Sequence, residues 1–378
     1  MSSRLWGQRN TTFLLFILAF LFWIMRLLAA FDRYPDSVSL TLEPVATDSQ
    51  KFDLYLTLHL QAQIQSLLGG EIKWGLKGGK LDFVLVNCHL TPNPLSSQEL
   101  YINRINNYQW RLSFKSVQSI FTGALERINL GTVSVEEEPY HLTVQFSLTA
   151  ADICITETSG LWKHDLSPNK HSILERKLAF FLMENQFDAF LSRISLGSSQ
   201  VELDNVLVEP KPAASENLEK LQTQIEGIYA AVSDDFLELA QLAELNPLTD
   251  FTGANLLAAE LSGISLGMAN LYQANLRGAN LTDADLSEIN GSHASFKGAD
   301  LSGALLANAD LSYADFYRSS LALANLIGSN LAGANLVEVN ITQANLSGAK
   351  VQGAKFADNV GMTEELRENL RLRGAFCD

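Results

Sequence analysis

Side chains that could bind a metal ion or activate a nucleophile are few in this sequence and are scattered along it. The candidates are six histidines and three cysteines: His59, His89, His141, His164, His171, His293, Cys88, Cys154 and Cys377. No two cysteines have the spacing of a zinc site, and a sparse, odd set does not form a disulfide framework. Cys88 and His89 are neighbours on a predicted strand, so their side chains point to opposite faces and cannot share a ligand. We therefore expect no metal, no cofactor and no catalytic residue, and predict that the protein is not an enzyme.

One polar cluster remains, and it lies on a predicted loop. It combines residues 162–165, Trp-Lys-His-Asp, with Asn169, Lys170 and His171. Loops often carry binding residues, but the sequence contains neither a Gly-rich phosphate loop nor a nucleophile elbow. We interpret the cluster as a solvated loop; a ligand or lipid headgroup site is the alternative.

A repeat in the C-terminal third determines the fold of that region, and so the elements on which any site there would lie. From Phe251 to Phe356 every fifth residue is Leu, Phe, Ile or Val, except for Gly291. A small residue, usually Ala, lies two positions before each centre, and Asn, Asp or Ser usually lies one position before it. A period of five matches neither the 3.6 residues of a helix nor the two of a strand, so the fold itself must have a five-residue unit.

The phrase Ala-(Asn/Asp)-Leu-x-x, as in residues 274–278, resembles the pentapeptide-repeat proteins over residues 246–361. The resemblance implies a right-handed quadrilateral β-helix with four pentads per coil, inward-pointing centres and coils about 4.8 Å apart. Sorting the centres into four columns supports this, because one column is all Leu and three of the four Phe centres share another. Gly291 predicts a gap in its column, which we interpret as a tolerated packing defect rather than a functional notch.

Both ends of the β-helix are predicted to be capped, because an exposed strand edge invites aggregation. Residues 216–245 have apolar side chains at helical spacing and are followed by Pro247, which predicts a helical N-cap. Residues 362–378 are predicted to form a C-terminal capping helix, with Thr363 as its N-cap and Gly374 just beyond its last turn.

Residues 1–35 are predicted to form an N-terminal membrane anchor. The span 13–31 is almost entirely apolar, and a helix of that length, at about 1.5 Å per residue, just crosses a hydrocarbon core of about 30 Å. Arg26 lies near the end of the span and can reach the headgroups. Arg4 and Arg9 before the span favour a single-pass protein with a cytoplasmic N-terminus. A cleaved signal peptide, which would give a secreted or lumenal protein, is the alternative.

Residues 36–208 are predicted to form an α+β domain of unknown role, followed by a linker at 209–215. Alternating apolar and polar residues over 52–61 and 142–148 indicate strands of an antiparallel sheet with one wet face. Weaker strands are predicted at 81–90, 108–117 and 201–208. A capping box from Ser172 to Glu175 predicts a helix that continues to about Ile194 and covers the sheet. The predicted fold class is therefore mixed: a transmembrane helix, an α+β domain and a C-terminal β-helix capped by helices.

The charge of the chain limits its partners. A formal net charge of −15 argues against nucleic-acid binding. Some pentapeptide-repeat proteins are acidic DNA mimics that bind topoisomerase, so the resemblance raises that function as well. Residues 251–361 contain five basic and nine acidic residues. Their net charge of −4 is small for a surface that mimics the phosphate backbone of DNA. The DNA-mimic topoisomerase inhibitor is therefore the least favoured hypothesis.

Two functional hypotheses from different classes remain. The first is a membrane-anchored, non-enzymatic interaction scaffold that presents the rigid β-helix to an unidentified protein partner. Its candidate partner surface consists of Tyr272, Arg277, Tyr313, Tyr317 and Arg318. Tyr and Arg are residue types that anchor protein interfaces. The second hypothesis is a lipid or small-ligand-binding module in residues 36–208, with the β-helix as a stability element.

Overall fold

The computed structural model contains a β-rich N-terminal domain and a C-terminal β-helix. It describes residues 28–32, 34, 36–48, 50–93, 100–106, 108–114, 120–162, 165–187, 190–197 and 214–378. Most of the predicted membrane span, residues 13–27, thus lies outside the described residues. The end of that span was predicted wrongly, because Leu28–Asp32 forms a strand, β1. Among the described residues, no helix combines the length and the apolar character needed to cross a bilayer.

The described part of the N-terminal domain contains three antiparallel sheets, which confirms the predicted sheet class. The six-stranded sheet has the order β1, β13 (Ser192–Gly197), β11 (His141–Ser147), β6 (Gly78–Val86), β9 (Gln109–Phe114) and β8 (Leu100–Asn106). The four-stranded sheet has the order β2 (Val38–Asp48), β3 (Lys51–Leu60), β10 (Gly123–Val135) and β7 (Cys88–Pro92). The three-stranded sheet has the order β12 (Ile153–Ser159), β5 (Gly70–Leu76) and β4 (Gln63–Leu67).

The alternation of apolar and polar residues predicted where strands occur more accurately than where they begin and end. β3 buries Leu54, Leu56, Leu58 and Leu60 on one face, as its pattern predicted. The predicted strand 81–90 is instead divided into β6 and β7, because Asn87 between them has a left-handed backbone with φ of 54°. The predicted strand 108–117 corresponds to β9, and the predicted strand 201–208 lies outside the described residues.

Helix α1 (Pro168–Asn185) begins and ends earlier than predicted. Its N-cap is Ser167, which accepts a hydrogen bond from the backbone of Lys170, and Pro168 occupies the first turn. Proline suits that position, since its fixed φ fits the helix and it has no N–H to leave unpaired. The supposed capping-box residues Ser172 and Glu175 are buried inside the helix. At the other end, the predicted helical residues 192–194 belong to β13.

The predicted N-cap of the β-helix is two helices, α2 (Ser215–Ala230) and α3 (Phe236–Leu242), rather than one. The break has a local cause, because the Asp235 side chain accepts a hydrogen bond from Glu238 N at 2.9 Å and so starts α3 as its N-cap. The Phe236 ring then packs on the Phe251 ring with centroids 4.9 Å apart. The apolar end of the β-helix is therefore covered by α3.

Coils of 20 residues build the β-helix, as the resemblance implied. Parallel bridges join residues 20 apart along its length, for example Asn255 to Asn275 and Asn325 to Asn345. All apolar centres are buried, and the stacked rings of Phe296 and Phe316 have centroids 4.9 Å apart. The gap predicted at Gly291 is filled by the neighbouring side chains. A Cβ placed on Gly291 would lie only 3.0 Å from Leu311 Cδ2.

Two positions in each pentad explain the rest of the repeat. The residue before the centre is usually Asn or Asp, and its side chain closes a turn and, at several positions, bonds to the neighbouring coil. Asn290 does both: its Oδ1 accepts from Ser292 N at 3.2 Å, and its Nδ2 donates to Asn270 Oδ1 at 3.1 Å. The residue two positions after every centre has a left-handed φ, for example 58° at Tyr313 and 60° at Arg318. Glycine adopts this conformation without steric cost, which explains its frequency at that position.

The C-terminal cap is a helix followed by one more strand. Helix α4 (Glu364–Leu372) starts at Thr363, whose Oγ1 accepts from Leu366 N at 3.2 Å, as predicted. Within the β-helix, β14 (Asn335–Val337) pairs in parallel with β15 (Lys355–Ala357), and β16 (Phe376–Cys377) adds a further parallel strand to β15. The last residues of the chain thus cover the open edge of the last coil, which the sequence analysis did not predict.

Candidate interaction surface

The β-helix has four lateral faces, each following one column of centres at 20-residue intervals. The first face has the centres Phe251, Leu271, Gly291, Leu311, Leu331 and Val351, and the second has Leu256, Leu276, Phe296, Phe316, Leu336 and Phe356. The third face starts at Leu261 and the fourth at Leu266. We assign to each face the pentads that run from two residues before to two residues after its centres. The first and second faces together are named the aromatic side, and the third and fourth the acidic side.

On the first face, Tyr272, His293 and Tyr313 form a ladder of rings. The centroids of Tyr272 and His293 are 5.7 Å apart in an edge-on arrangement, and those of His293 and Tyr313 are 5.1 Å apart and stacked. The next rung is Gly333, where an added Cβ would lie 2.6 Å from Tyr313 Cε1. Burial lowers the pKa of His293, and the charge of Asp310 opposes this effect. Sequence reasoning missed His293 as a surface residue, although its spacing of 20 residues from Tyr313 puts both on one face.

On the second face, Glu338 holds two of the predicted surface residues together. Tyr317 Oη donates to Glu338 Oε1 at 2.8 Å, and Arg318 Nε donates to Glu338 Oε2 at 2.7 Å. The guanidinium carbon of Arg318 lies 4.9 Å from the centre of the Tyr317 ring. The hydrogen bonds from Arg318 and from Tyr317 lower the pKa of the Glu338 carboxyl. Arg277 lies on the same face two coils earlier, so the predicted surface residues fall on two adjacent faces.

Charge is distributed unequally between the two sides of the β-helix. The aromatic side carries every basic residue of 251–361, namely Arg277, Lys297, Arg318, Lys350 and Lys355. With five acidic residues, Asp250 included, its net charge is 0 (five basic, five acidic). The acidic side carries five acidic residues and no basic residue, a net charge of −5. Two ion pairs order the aromatic side: Lys297 to Asp315 at 2.9 Å and Arg318 to Glu338 at 2.7 Å.

The polar cluster near residue 165 is not a separate site. Lys163 and His164 lie outside the described residues. Asn169 is buried in the first turn of α1, and its Nδ2 donates to Asp234 O and to Glu260 O, each at 2.9 Å. Its neutral amide therefore joins α1 to the segment before α3 and to the first coil of the β-helix.

Lys170 and His171 also serve contacts within the fold. Lys170 Nζ donates to the carbonyl oxygens of Tyr229 and Ala231, at 3.2 and 2.6 Å, at the C-terminal end of α2. A cation is favourable there, because carbonyl groups at a helix C-terminus lack partners within the helix. His171 Nε2 lies 3.0 Å from Glu175 Oε1, and this hydrogen bond raises the pKa of His171 while burial opposes the rise. The interpretation as a solvated loop is therefore wrong for Asn169 and Lys170.

Two concavities in the described residues have different characters. A depression of about 570 Å³, open to solvent, lies at the six-stranded sheet and is lined by Asp82, Phe83, Val84, Asn106, Tyr108 and Gln109. A cavity of about 20 Å³ lies where α1 meets the first coil, among residues that include Lys77, Cys154, Glu175, Arg176 and Asn255. In the part of the chain that the structure describes, no three His, Cys, Asp or Glu side chains are placed to hold a metal ion together.

Comparison with known proteins gives matches in the C-terminal region. The family model for pentapeptide repeats matches residues 269–306, 292–321 and 319–358, with eight copies. A pentapeptide repeat protein from Nostoc is 27% identical over 31% of this chain and 99% of that chain, with a TM-score of 0.21. One from the thylakoid lumen of Arabidopsis thaliana is 32% identical over 31% of this chain and 78% of that chain, with a TM-score of 0.18.

A third solved structure is HetL from Nostoc, a pentapeptide repeat protein involved in the regulation of heterocyst differentiation. It is 32% identical over 31% of this chain and 59% of that chain, with a TM-score of 0.15. A search of curated protein sequences gives no match. The repeated family match and the 20-residue coils agree on the C-terminal domain. This chain therefore belongs to the pentapeptide-repeat proteins, and the family model places its repeats between residues 269 and 358.

Proposed function

We propose that the protein is a membrane-anchored, non-enzymatic interaction scaffold that presents the aromatic side of its β-helix to a protein partner. The observation that carries this proposal is the placement of the five candidate residues Tyr272, Arg277, Tyr313, Tyr317 and Arg318 on two adjacent faces. Tyr and Arg are enriched among the few residues that dominate binding energy at interfaces. Pentapeptide-repeat proteins are generally non-enzymatic structural or interaction proteins, which supports a scaffold.

The order of this surface before binding supports the same role. Glu338 fixes Tyr317 and Arg318 through two hydrogen bonds, and His293 stacks on Tyr313. Side chains that are already ordered lose less entropy when a partner binds, so more of their contact energy appears as affinity. The two ends of the β-helix are occupied by α3 and by β16, so its lateral faces remain for contacts with a partner.

The membrane part of the proposal rests on the apolar sequence that precedes β1. Residues 13–27 alone would give about 22 Å of helix at about 1.5 Å per residue, so a span of about 30 Å would also use residues before Phe13. Alkaline extraction of native membranes should leave the full-length protein in the pellet, and protease should reach the β-helix from one side only. Release of the intact chain at alkaline pH would contradict the anchor.

A photo-crosslinking experiment tests the partner surface in the full-length protein. A photo-reactive phenylalanine analogue is placed at Tyr313, which is 57% exposed, and for control at Leu323 on the acidic side, which is 63% exposed. Illumination of cells should give a discrete protein adduct from position 313 and none of that size from position 323. The double substitution Tyr317→Ala and Arg318→Ala should suppress the adduct. Equal adducts from both positions, or an adduct that survives the double substitution, would refute the proposed surface.

The alternative of a lipid or small-ligand module in residues 36–208 has one supporting feature. The open depression at the six-stranded sheet brings Phe83, Val84 and Tyr108 together beside polar side chains. Ligand sites usually bury most of the ligand surface, and an open depression fits that requirement less well than it fits a contact surface. Native mass spectrometry of the full-length protein tests this alternative. A co-purified ligand that is lost in Val84→Asp would favour it over the scaffold.

A further inference from the structure

The first coil of the β-helix, residues 251–270, has an outer edge that needs partners. In a regular coil, the residue before each centre directs both backbone groups toward the preceding coil. Asn280 N donates to Ala259 O at 2.9 Å, and Asn280 O accepts from Leu261 N at 2.8 Å. The first coil follows no other coil, and buried backbone groups that remain unpaired are costly. At Glu260, another part of the chain supplies these hydrogen bonds.

Asn169 of α1 supplies them at Glu260, the residue before the centre Leu261. Glu260 N donates to Asn169 Oδ1, and Asn169 Nδ2 donates to Glu260 O, both at 2.9 Å. One side-chain amide thus replaces the two backbone groups that a preceding coil would offer. Asn169 is almost fully buried, so water does not compete strongly for these bonds.

Glu175, further along α1, extends the side-chain ladder of the second face. Within the ladder, Asn275 Nδ2 donates to Asn255 Oδ1 at 2.8 Å. Asn255 Nδ2 in turn donates to Glu175 Oε2 at 2.9 Å. The carboxylate of Glu175 therefore occupies the place of the next rung, although it belongs to a helix of another domain.

Two buried cations complete the contact on the first face. Arg176 Nε donates to Asp250 O, and its Nη1 donates to Ala150 O at 2.9 Å. Lys77 Nζ donates to Gly253 O at 3.1 Å. Burial lowers the pKa of Arg176 to about 10, so its guanidinium remains charged at neutral pH. Both cations thus bind carbonyl oxygens of the pentad centred on Phe251.

We propose that α1 acts as a surrogate coil that fixes the rotation of the β-helix relative to the N-terminal domain. Its contacts and that of Lys77 reach three of the four faces: Asp250 and Gly253 on the first, Asn255 on the second and Glu260 on the third. Attachments on three sides of a coil determine both its tilt and its rotation. The aromatic side is therefore held in one direction relative to the sheets, and the two domains move as one body. This inference does not depend on the proposed function.

The test uses the full-length protein and two measurements. Hydrogen exchange is followed in residues 251–270, with residues 331–350 as the internal reference. Distances are measured between spin-labelled amino acids at Ile64 and Leu323, which are both exposed. Asn169→Ala should speed exchange in the first coil about tenfold or more, as expected for loss of buried hydrogen bonds, and should broaden the distance distribution. Asn325→Ala, at the equivalent position before a centre in a coil far from α1, should do neither.

A double-mutant cycle gives a second criterion that does not require Asn169→Ala to fold. Glu175→Ala and Asn255→Ala both remove the hydrogen bond between these two side chains, so the double variant should speed exchange by less than the combined effects of the single variants. Glu175→Gln keeps an acceptor oxygen for Asn255 and should stay close to the parent. Additive effects of the two alanine substitutions, or a broad distance distribution in the parent protein, would overturn the surrogate-coil proposal.

Discussion

Leu323 offers the sharpest test of how backbone conformation shapes the surface of the β-helix. Its φ is 62° and its side chain is 63% exposed. A left-handed conformation costs a residue with a Cβ about 1–2 kcal/mol, whereas glycine adopts it readily. Glycine also loses more conformational entropy on folding, by about 0.5–1 kcal/mol. Leu323→Gly should therefore raise the free energy of unfolding by about 0–1.5 kcal/mol, although it removes an apolar side chain.

Two further glycine substitutions isolate the cause. Tyr313→Gly removes the same left-handed backbone strain but also loses the stacked contact with His293. That contact contributes about 0.5–1.5 kcal/mol. Its net effect should therefore fall below that of Leu323→Gly. Leu257, which is 49% exposed, lies one position after its centre, outside the left-handed positions. Leu257→Gly should be destabilising by about 0.5–1 kcal/mol, because glycine gains nothing there to offset its entropy.

Urea denaturation of the full-length protein, followed by circular dichroism, measures these differences. The expected order of stability is Leu323→Gly, then Tyr313→Gly, then Leu257→Gly. If Leu323→Gly is as destabilising as Leu257→Gly, the left-handed position carries no strain and the reasoning fails. The expected order would mean that Tyr313 and Arg318 occupy positions where glycine would fit with less strain.

Three further predictions concern the joint and the core. The raised pKa of His171 means that its stabilising bond to Glu175 is fully present below its ordinary pKa of 6.5 and is lost as pH rises through the raised value. Because the His171 side chain is 45% exposed, the free energy of unfolding should fall by only about 0.5 kcal/mol over this rise in pH. The change is measured by comparing the unfolding free energies of the parent and of His171→Gln from pH 5 to 8. Leu301→Ala, at a buried centre of the third face, should lower the free energy of unfolding by about 2–5 kcal/mol, measured by urea denaturation. Gly291→Leu should also be destabilising, by about 1–3 kcal/mol in the same assay, because Leu311 already fills the space; a stabilised variant would show that a gap exists there.

Local periodicity was sufficient to predict the β-helix. Nearly every pentad repeats an inward apolar centre preceded by a polar residue, so one five-residue pattern determines the coil; Asn290 is an example of the polar position. The outcome at Gly291 could not be predicted in this way. Whether a missing side chain leaves a gap depends on how Leu311 and its other neighbours move into the space, which is a property of three-dimensional packing.

The contact between α1 and the first coil of the β-helix could not be predicted from the sequence pattern either. Asn169 lies in a polar stretch of sequence, where a solvated loop was the natural interpretation. Its role depends on Glu260, which is 91 residues away in the chain. Ser172 and Glu175 imitated a capping box, although Ser167 and Pro168 begin the helix. The spacing of residues along the chain does not reveal partners that are distant in sequence, so the contact of α1 with the first coil was not predicted. The start of α1 was missed because Ser172 and Glu175 have the spacing of a cap that Ser167 forms instead.

The composition of the joint argues that it selects one rotation rather than merely adding stability. An apolar contact between α1 and the first coil would tolerate sliding, because hydrophobic attraction has no direction. Hydrogen bonds require matched donors and acceptors, and the faces of the first coil differ at the position before the centre, with Asn255 on the second and Glu260 on the third. A rotation by one face would bring Glu175 to Glu260 and place two carboxylates together. Repulsion of like charges disfavours that arrangement, so the sequence of the first coil itself sets the direction in which the aromatic side points.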